Sequence, residues 1–257
     1  MKTPTVSPLS CGGGSNCGPA FRAWLPGAAL GRTEPAAGGG VGARRFGNQR
    51  VLVEPDPAAG IAVMKLRNPP VNSLSLELLT ELVISLEKLE NDKTFRGAIL
   101  TSGASPAGGC LMALCCDYRV LADNPKCVIG LNETLLGIVA PFWFKDTLVN
   151  TIGHRASERA LQLGLLFPPA EALQVGLVDK VVPEDKVQST ALSVMAQWMA
   201  IPDHARQLTK SMMRKPTADY LVKHRDSDIK NFVSFISRDS IQKSLQMYLE
   251  KLKQKKG

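Results

Sequence analysis

The 257-residue sequence is poor in the residues that build metal and redox sites. It has three histidines, and none of its six cysteines forms a Cys-x-x-Cys pair, so no zinc-site spacing is present. Cys110, Cys115 and Cys116 lie in an apolar run, where they are expected to act as small buried hydrophobic side chains. The pattern favours a reducing compartment over a disulfide framework and predicts no metal.

Long apolar runs and nucleotide-binding motifs are also missing. No stretch approaches the roughly 18 consecutive apolar residues of a membrane span, and the sequence contains no Walker loop and no dinucleotide fingerprint. The net charge of +8 is confined to the two ends, because residues 1–50 carry six basic residues and one acid, and residues 243–257 carry five lysines and one glutamate. Since the body between them is nearly neutral, no nucleic-acid-binding face is expected on it.

The N-terminal segment lacks acids and is rich in glycine. Residues 1–50 hold eleven of the 22 glycines, six basic residues and a single acid, Glu34. Such a composition cannot build a core, so residues 1–46 are predicted to be disordered. Arginine without acid is also typical of a mitochondrial transit peptide, here ending near Arg44-Arg45-Phe46. A low-complexity tail with no targeting role is the alternative interpretation.

From residue 47 the hydrophobic pattern alternates between strand and helix periods, which predicts an α/β fold. A strand pair, a helix capped by Ser75 and a buried strand at Gly97–Ser102 are predicted first, followed by shorter elements to residue 185. Residues 186–257 are predicted to form a helical subdomain, broken at Pro202 and Pro216. The organisation is therefore a segment 1–46, an α/β core 47–185 and a helical subdomain 186–257.

Two features of the core could carry chemistry. Glu133 stands in "VIGLNETLLGIVAP", where burial would raise the pKa of its carboxyl and make it a usable base. Gly108 and Gly109 precede an apolar helix, whose first backbone N–H groups can bind a phosphate or a developing oxyanion. A surface or helix-start glutamate and a tight packing turn are the alternative interpretations, and residue types alone leave both open.

Four segments in order resemble the crotonase superfamily of enoyl-CoA hydratases and isomerases: "NPPVNSLSLELLTEL", "SPAGGCLMALCCDYRVLADN", "IGLNETLLGIVAPFW" and "IGHRASERALQLGLLFPPAEALQVGLVDKVVP". The resemblance covers about residue 25 to the end. It implies a spiral of ββα turns followed by C-terminal helices that form a homotrimer. It also implies that Gly108 supplies one of two backbone amides that stabilise a thioester enolate, with Glu133 as the base.

Leu111 separates the two activities of this family. Hydratases that resemble this chain carry a second glutamate there, whereas leucine can neither bind water nor donate a proton. The resemblance therefore implies an isomerase of fatty acid β-oxidation in the mitochondrial matrix, converting 3-enoyl-CoA to trans-2-enoyl-CoA. Coenzyme A would be part of the substrate, and no other cofactor is implied. Asn132 is expected to touch the acyl chain, and Leu111, Phe142 and Trp143 are expected to line its pocket, although core packing explains the two aromatic residues equally well.

The sequence departs from the family pattern directly after Ser102. The second oxyanion amide, a long helix and a further strand are expected there, but Ser102 runs straight into "GASPAGG". The missing block exceeds one average helix and one average strand, roughly 11 and 5 residues. Its loss is expected to expose a sheet edge and to leave a weakly active or inactive enzyme. A crotonase-like hydratase and a non-catalytic scaffold remain as alternatives.

Overall fold

The computed structural model describes residues 3–7, 46–47, 49–69, 71–103 and 105–254. Its strands are β1 (Thr3–Ser7), β2 (Phe46–Gly47), β3 (Val51–Asp56), β4 (Ile61–Leu66), β5 (Gly97–Ser102), β6 (Ser105–Pro106), β7 (Tyr118–Ala122), β8 (Ile129–Gly130) and β9 (Lys180–Val182). Its helices are α1 (Leu76–Asn91), α2 (Gly108–Cys115), α3 (Phe142–Ile152), α4 (His154–Leu163), α5 (Pro169–Gln174), α6 (Val187–Met199), α7 (Asp203–Ile236) and α8 (Asp239–Gln254). Short 3₁₀ turns cover Glu133–Leu136 and Glu184–Lys186.

Seven of these strands form one sheet in the order β2-β3-β4-β5-β1-β7-β9, and β6 and β8 form a separate parallel pair. The strand pair β3–β4 is an antiparallel hairpin, as predicted, and β4 and β5 run parallel to each other because α1 crosses between them. The pair β7–β9 is also parallel. β1 runs antiparallel to both of its neighbours, β5 and β7.

Helix α1 shows how the sequence positions one face of this sheet. The Ser75 hydroxyl accepts a hydrogen bond from the Leu78 amide at 3.3 Å and so caps the first turn, as predicted. Leu78, Leu82 and Leu89 recur at helical spacing and are buried against β3, β4 and β5. Helix α6 covers the other face of the sheet, where Ala191 and Met195 pack on Ile99.

A second apolar core lies among α2, α3, α4 and β7. It contains Cys110, Leu114, Leu121, Leu148 and Phe167, all of them buried. The buried positions of Cys110 and Cys116 agree with their predicted role as small hydrophobic side chains, whereas Cys115 is exposed, contrary to that prediction. This core holds the elements on which the candidate site is built. None of the helices in the described residues combines the length and apolar character that a membrane crossing requires.

The structure differs from the sequence predictions at two places. Residues 1–2 and 8–45 lie outside the described residues, but Thr3–Ser7, also predicted to be disordered, forms the sheet strand β1. This strand pairs with the edge of β5 that was expected to be exposed.

The break predicted at Pro216 is wrong, because α7 continues through it to Ile236. Contacts on both sides of this proline hold the helix to the body of the protein. Before it, Arg214 donates to the Cys115 carbonyl, and after it, Tyr220 packs edge-to-face on Phe142. These tertiary contacts offset the lost backbone hydrogen bond.

Candidate functional site

Glu133 is a buried carboxyl without a partner. It begins the 3₁₀ turn that follows β8, and only 8% of its surface is exposed. Neither carboxylate oxygen has a hydrogen-bond partner among the described residues. Burial therefore raises the pKa of the Glu133 carboxyl above its ordinary value. A carboxyl in this setting holds a proton more readily than an exposed glutamate does, which suits it to accept and return one.

The turn that carries Glu133 is fixed at both ends. Gly137 closes it in a left-handed conformation, and its amide donates to the carbonyls of Glu133 and Thr134. The Thr134 hydroxyl donates to the Leu161 carbonyl at 2.8 Å, which ties the turn to α4. Just before the turn, a Cβ on Gly130 would lie 2.2 Å from the Leu165 carbonyl oxygen, so only glycine fits there. The position of the carboxyl is thus set by backbone contacts.

Helix α2 begins beside the segment that leads to Glu133. The Ala107 amide donates to the Gly130 carbonyl at 2.8 Å, and β6 runs parallel to β8. Ala107 has φ +52°, a strained value for alanine, which turns the chain sharply into the helix at Gly108. Burial, and secondarily the Glu133 carboxylate, raise the pKa of the Cys110 thiol. Cys110, in the first turn of α2, thus senses the charge of Glu133.

Leu74 covers the start of α2. A Cβ added to Gly108 would come within 2.7 Å of the Leu74 Cδ1 atom, so a side chain there would displace Leu74. The absence of a side chain at Gly108 lets Leu74 pack directly against the start of α2. This close approach is one physical reason for glycine at this position.

The far end of α2 is held by the C-terminal helices, a feature that sequence reasoning missed. Arg214 of α7 donates to the carbonyls of Leu114 at 3.4 Å, Cys115 at 2.5 Å and Cys116 at 3.1 Å. Lys210 pairs with Asp117 at 2.9 Å. Cations at a helix C-terminus satisfy its free carbonyls and complement its dipole. The only sequence signal was the presence of basic residues in α7, and their targets are about a hundred positions away.

The other predicted site residues fall in two places. Asn132 is buried next to Glu133, and its side-chain oxygen has no hydrogen-bond partner in the described part of the chain. Leu111 is half-buried in α2, one turn beyond Gly108. Phe142 and Trp143 instead contact α7, through Tyr220 at a ring distance of 4.9 Å and through Asp228 at 3.2 Å. Asn132 and Glu133 thus lie side by side, and the start of α2 is tied to the same segment through the hydrogen bond from Ala107 to Gly130. The two aromatic residues instead join α3 to α7.

The unpaired carboxyl should cost stability at neutral pH. We expect Glu133→Gln to raise the free energy of unfolding at pH 7 by about 1 kcal/mol, because the neutral amide removes a buried and unpaired charge. Because the folded-state pKa lies above the ordinary 4.5, the protonated carboxyl stabilises the fold below pH 4.5, and this stabilisation is lost as pH rises through the folded-state pKa. The increase in the free energy of unfolding caused by Glu133→Gln should therefore be smaller at pH 4 than at pH 7.

Urea unfolding at the two pH values tests this expectation. Glu171→Gln, a change at an exposed position of α5, serves as the control and should leave the free energy of unfolding unchanged at both. If Glu133→Gln changed the free energy of unfolding equally at pH 4 and pH 7, a buried and unpaired charge could not be the cause.

Comparison with known proteins gives a consistent result. The sequence profile described as enoyl-CoA hydratase/isomerase matches this chain in two segments, residues 56–103 and 102–256. The human protein named "Enoyl-CoA delta isomerase 1, mitochondrial" is 68% identical over 282 aligned residues, which cover 91% of this chain and 93% of the relative. The mouse protein of the same name is 62% identical over 90% of this chain and 96% of that relative.

Solved structures agree with these relatives. The crystal structure of human mitochondrial delta3-delta2-enoyl-CoA isomerase matches with a TM-score of 0.80 at 66% identity, over 81% of this chain and all of that chain. An enoyl-CoA hydratase from Mycobacterium tuberculosis matches with a TM-score of 0.59 at 19% identity, over 74% of this chain and all of that one. The second match bears on the fold alone and agrees with the predicted α/β architecture followed by helices.

Proposed function

The chain belongs to the enoyl-CoA hydratase/isomerase family and has the crotonase fold, and from this premise we propose that it is an enoyl-CoA delta isomerase. Its reaction would be the conversion of 3-enoyl-CoA to trans-2-enoyl-CoA in the β-oxidation of unsaturated fatty acids. The observation that carries the proposal is Glu133, a buried and unpaired carboxyl in the segment that the Ala107–Gly130 hydrogen bond ties to the start of α2. The names of its relatives, at 68% and 62% identity, support the same activity.

The geometry suits a proton shift performed by one base. Glu133 would remove a proton from C2 of the substrate, and the electron pair would pass through the thioester to form a dienolate. The N–H of Gly108, at the positive end of α2, would donate to the developing oxyanion. Glu133 would then return the proton at C4, which moves the double bond to C2–C3 and leaves the enzyme unchanged.

Leu111 favours isomerisation over hydration. Adding water to a double bond needs one group to activate the water and another to donate a proton. Leu111 lies one turn after Gly108 on α2 and can do neither. With Glu133 as the one carboxyl of the site, the reaction class is the shift of a double bond. Because the double bond shifts by proton transfer alone, no metal or redox group is needed. Coenzyme A arrives as part of the substrate.

A block of sequence missing after Ser102 would make this enzyme weak. Two findings support such a gap. The two segments of the family match meet at residues 102–103. The alignment with the human relative runs over 282 positions, whereas 91% of this 257-residue chain is about 234 residues, so about 48 positions have no counterpart here. The second oxyanion amide is expected in this block, and the loss of one such donor costs about 10² to 10³ in rate.

A direct assay tests the proposed activity. The purified chain is incubated with a 3-enoyl-CoA, and formation of the conjugated 2-enoyl thioester is followed by its absorbance. We expect slow but measurable turnover that is abolished without Glu133, and no hydration of 2-enoyl-CoA. Turnover equal to that of the human relative would contradict the proposal of a weakened enzyme. Hydration of 2-enoyl-CoA would favour a hydratase. The complete absence of acyl-CoA binding would favour a non-catalytic scaffold.

The names of the mammalian relatives place them in the mitochondrion, and we propose the mitochondrial matrix for this chain as well. β-Oxidation of acyl-CoA would supply its substrate there. The arginine-rich, acid-poor N-terminal segment is compatible with import. Fractionation of cells that express the tagged full chain tests this assignment.

We expect the chain to form a homotrimer through its C-terminal helices. Helix α7 has 34 residues and buries none of them, and Leu208, Met212 and Met213 are exposed by 63%, 79% and 72%. A long helix that leaves such residues in water needs a partner surface. Light scattering after size exclusion should give about three times the chain mass of 27.7 kDa.

Paired variants test whether this face carries the assembly. Met212→Glu combined with Met213→Glu should yield monomers, because two charges would be buried without partners in the contact. Lys93→Glu, an exposed change near the end of α1, is the control and should remain a trimer. A wild-type chain that elutes as a monomer at micromolar concentration would contradict the proposal.

A further inference from the structure

The strand nearest the N-terminus lies in the interior of the main sheet. All five residues of β1 pair with β5, from Thr3 opposite Ser102 to Ser7 opposite Ala98. On the other side, Thr5 and Val6 pair with Arg119 and Tyr118 of β7. In the part of the chain that the structure describes, β1 is the connection that makes one sheet of β2-β3-β4-β5 and β7-β9.

Without β1, two sheet edges would face a gap. The opposite edge of β5 is already paired with β4, and that of β7 with β9. Helix α6 packs across β5, β1 and β7, and its Met195 joins a cluster with Ile99 of β5 and Tyr118 of β7. The helix therefore holds both sides of the gap at the separation of one strand, about 4.8 Å from each neighbour. An open gap would leave backbone N–H and C=O groups unpaired under α6.

The direction of β1 indicates that it takes the place of a parallel strand between β5 and β7. The pairs β4–β5 and β7–β9 are parallel, whereas β1 is antiparallel to both β5 and β7. A parallel strand in this place would need a crossover of a dozen or more residues between β5 and β7. Residues 103–117 supply β6 and α2 and contribute no strand to the main sheet. The strand that fills the gap comes from the distant N-terminus instead.

The sequence of β1 suits this place. Proline lacks an amide hydrogen and is tolerated near the start of a strand or where one side is unpaired. Pro4 is the second residue of β1 and pairs only with Thr101 of β5, whereas the pairing with β7 falls on Thr5 and Val6. Threonine and valine favour strands.

We propose that the gap between β5 and β7 is a strand-accepting site, and that the chain's own N-terminal residues Thr3–Ser7 fill it in place of the block missing after Ser102. Residues Thr3–Ser7 are then a part of the folded sheet. Their removal as part of a targeting peptide would open the sheet at its centre. A matrix form cleaved near Arg44-Arg45-Phe46 would lack these residues, so the strand belongs to the uncleaved chain.

Hydrogen exchange of the full chain tests the proposal directly. In the wild-type protein, the amides of Thr5 and Val6 should exchange at least 100-fold more slowly than in an unstructured peptide, because both lie between two paired strands. Exchange of these amides at the unstructured rate would overturn the proposal. The readout is independent of turnover, so it separates this inference from the proposed isomerase activity.

A variant pair tests what the strand does for its neighbours. Val6→Pro removes a ladder amide at a position paired on both sides, and Val6→Ile keeps it and is the matched control. Val6→Pro should speed exchange of the amides in Gly97–Ser102 and Tyr118–Ala122 at least tenfold, whereas Val6→Ile should leave them unchanged. The hairpin β3–β4 should stay protected in both variants.

A peptide added in trans keeps the test decisive if the Val6→Pro chain does not fold by itself. The peptide MKTPTVSPLS, residues 1–10, should restore protection of β5 and β7 when it is added to the Val6→Pro chain. The same peptide with proline in place of valine should not. Unchanged exchange in the Val6→Pro chain, or equal rescue by both peptides, would contradict a strand-accepting site.

Discussion

Replacing Glu133 with Gln should lower the rate of 3-enoyl-CoA isomerisation by about 10² to 10⁴, the contribution of a positioned general base. Glutamine has the same shape but cannot take up the C2 proton. The Michaelis constant should change little, because the substituted group acts on the reacting carbons. Steady-state kinetics of the purified variant give both parameters.

Two further measurements make this test specific. Glu171→Gln, at an exposed position of α5, should keep wild-type turnover. In the wild-type chain, turnover should fall with decreasing pH at a higher pH than an ordinary carboxyl of pKa 4.5 would give, since burial raises the pKa of Glu133 and only its ionised form is a base. A rate that survives in Glu133→Gln would transfer the role of base to another residue.

Inserting the residues of the human relative that have no counterpart here, between Ser102 and Gly103, should raise isomerase turnover about 10² to 10³-fold. That range is the rate cost of one missing oxyanion donor. The single N–H of Gly108 would then be joined by a second amide at the thioester oxygen. Turnover of the parent chain and of the extended chain is compared under one set of conditions.

A linker of equal length built from glycine and serine is the control for this insertion. It lengthens the loop in the same way but offers no fixed amide, so turnover should remain at the parent level. Combining the insertion with Glu133→Gln should remove the gain, since both groups act on one reaction. If the insertion left turnover unchanged, the missing block would not account for weak activity.

Local sequence signals predicted much of the fold. The Ser75 cap and the leucines that follow it predicted α1, and the apolar run Gly97–Ser102 predicted β5. Periodicity and a capping residue are properties of neighbouring positions, so they can be recognised without the tertiary structure.

What sequence reasoning missed depends on contacts between distant residues. The glycine-rich composition around Thr3–Ser7 predicts disorder, and only the presence of two unpaired edges elsewhere explains a strand there. Pro216 breaks an isolated helix, but the Arg214 and Tyr220 contacts hold α7 through it. Residue types left the role of Glu133 open, and burial among elements far apart in the chain determines its pKa.

The interior place of β1 also has a consequence for biosynthesis. These residues leave the ribosome before their partners, since Thr3 pairs with Ser102 and Val6 with Tyr118. Pairing between positions so far apart is slow, because a long loop must close first. β1 thus has to wait for partners about a hundred residues further along the chain, and until it pairs, β5 and β7 offer open edges to other nascent chains. Slow synthesis or a shortage of chaperones should therefore lower the yield of this protein strongly. The effect should be smaller for a chain whose central strand is synthesised between its two neighbours.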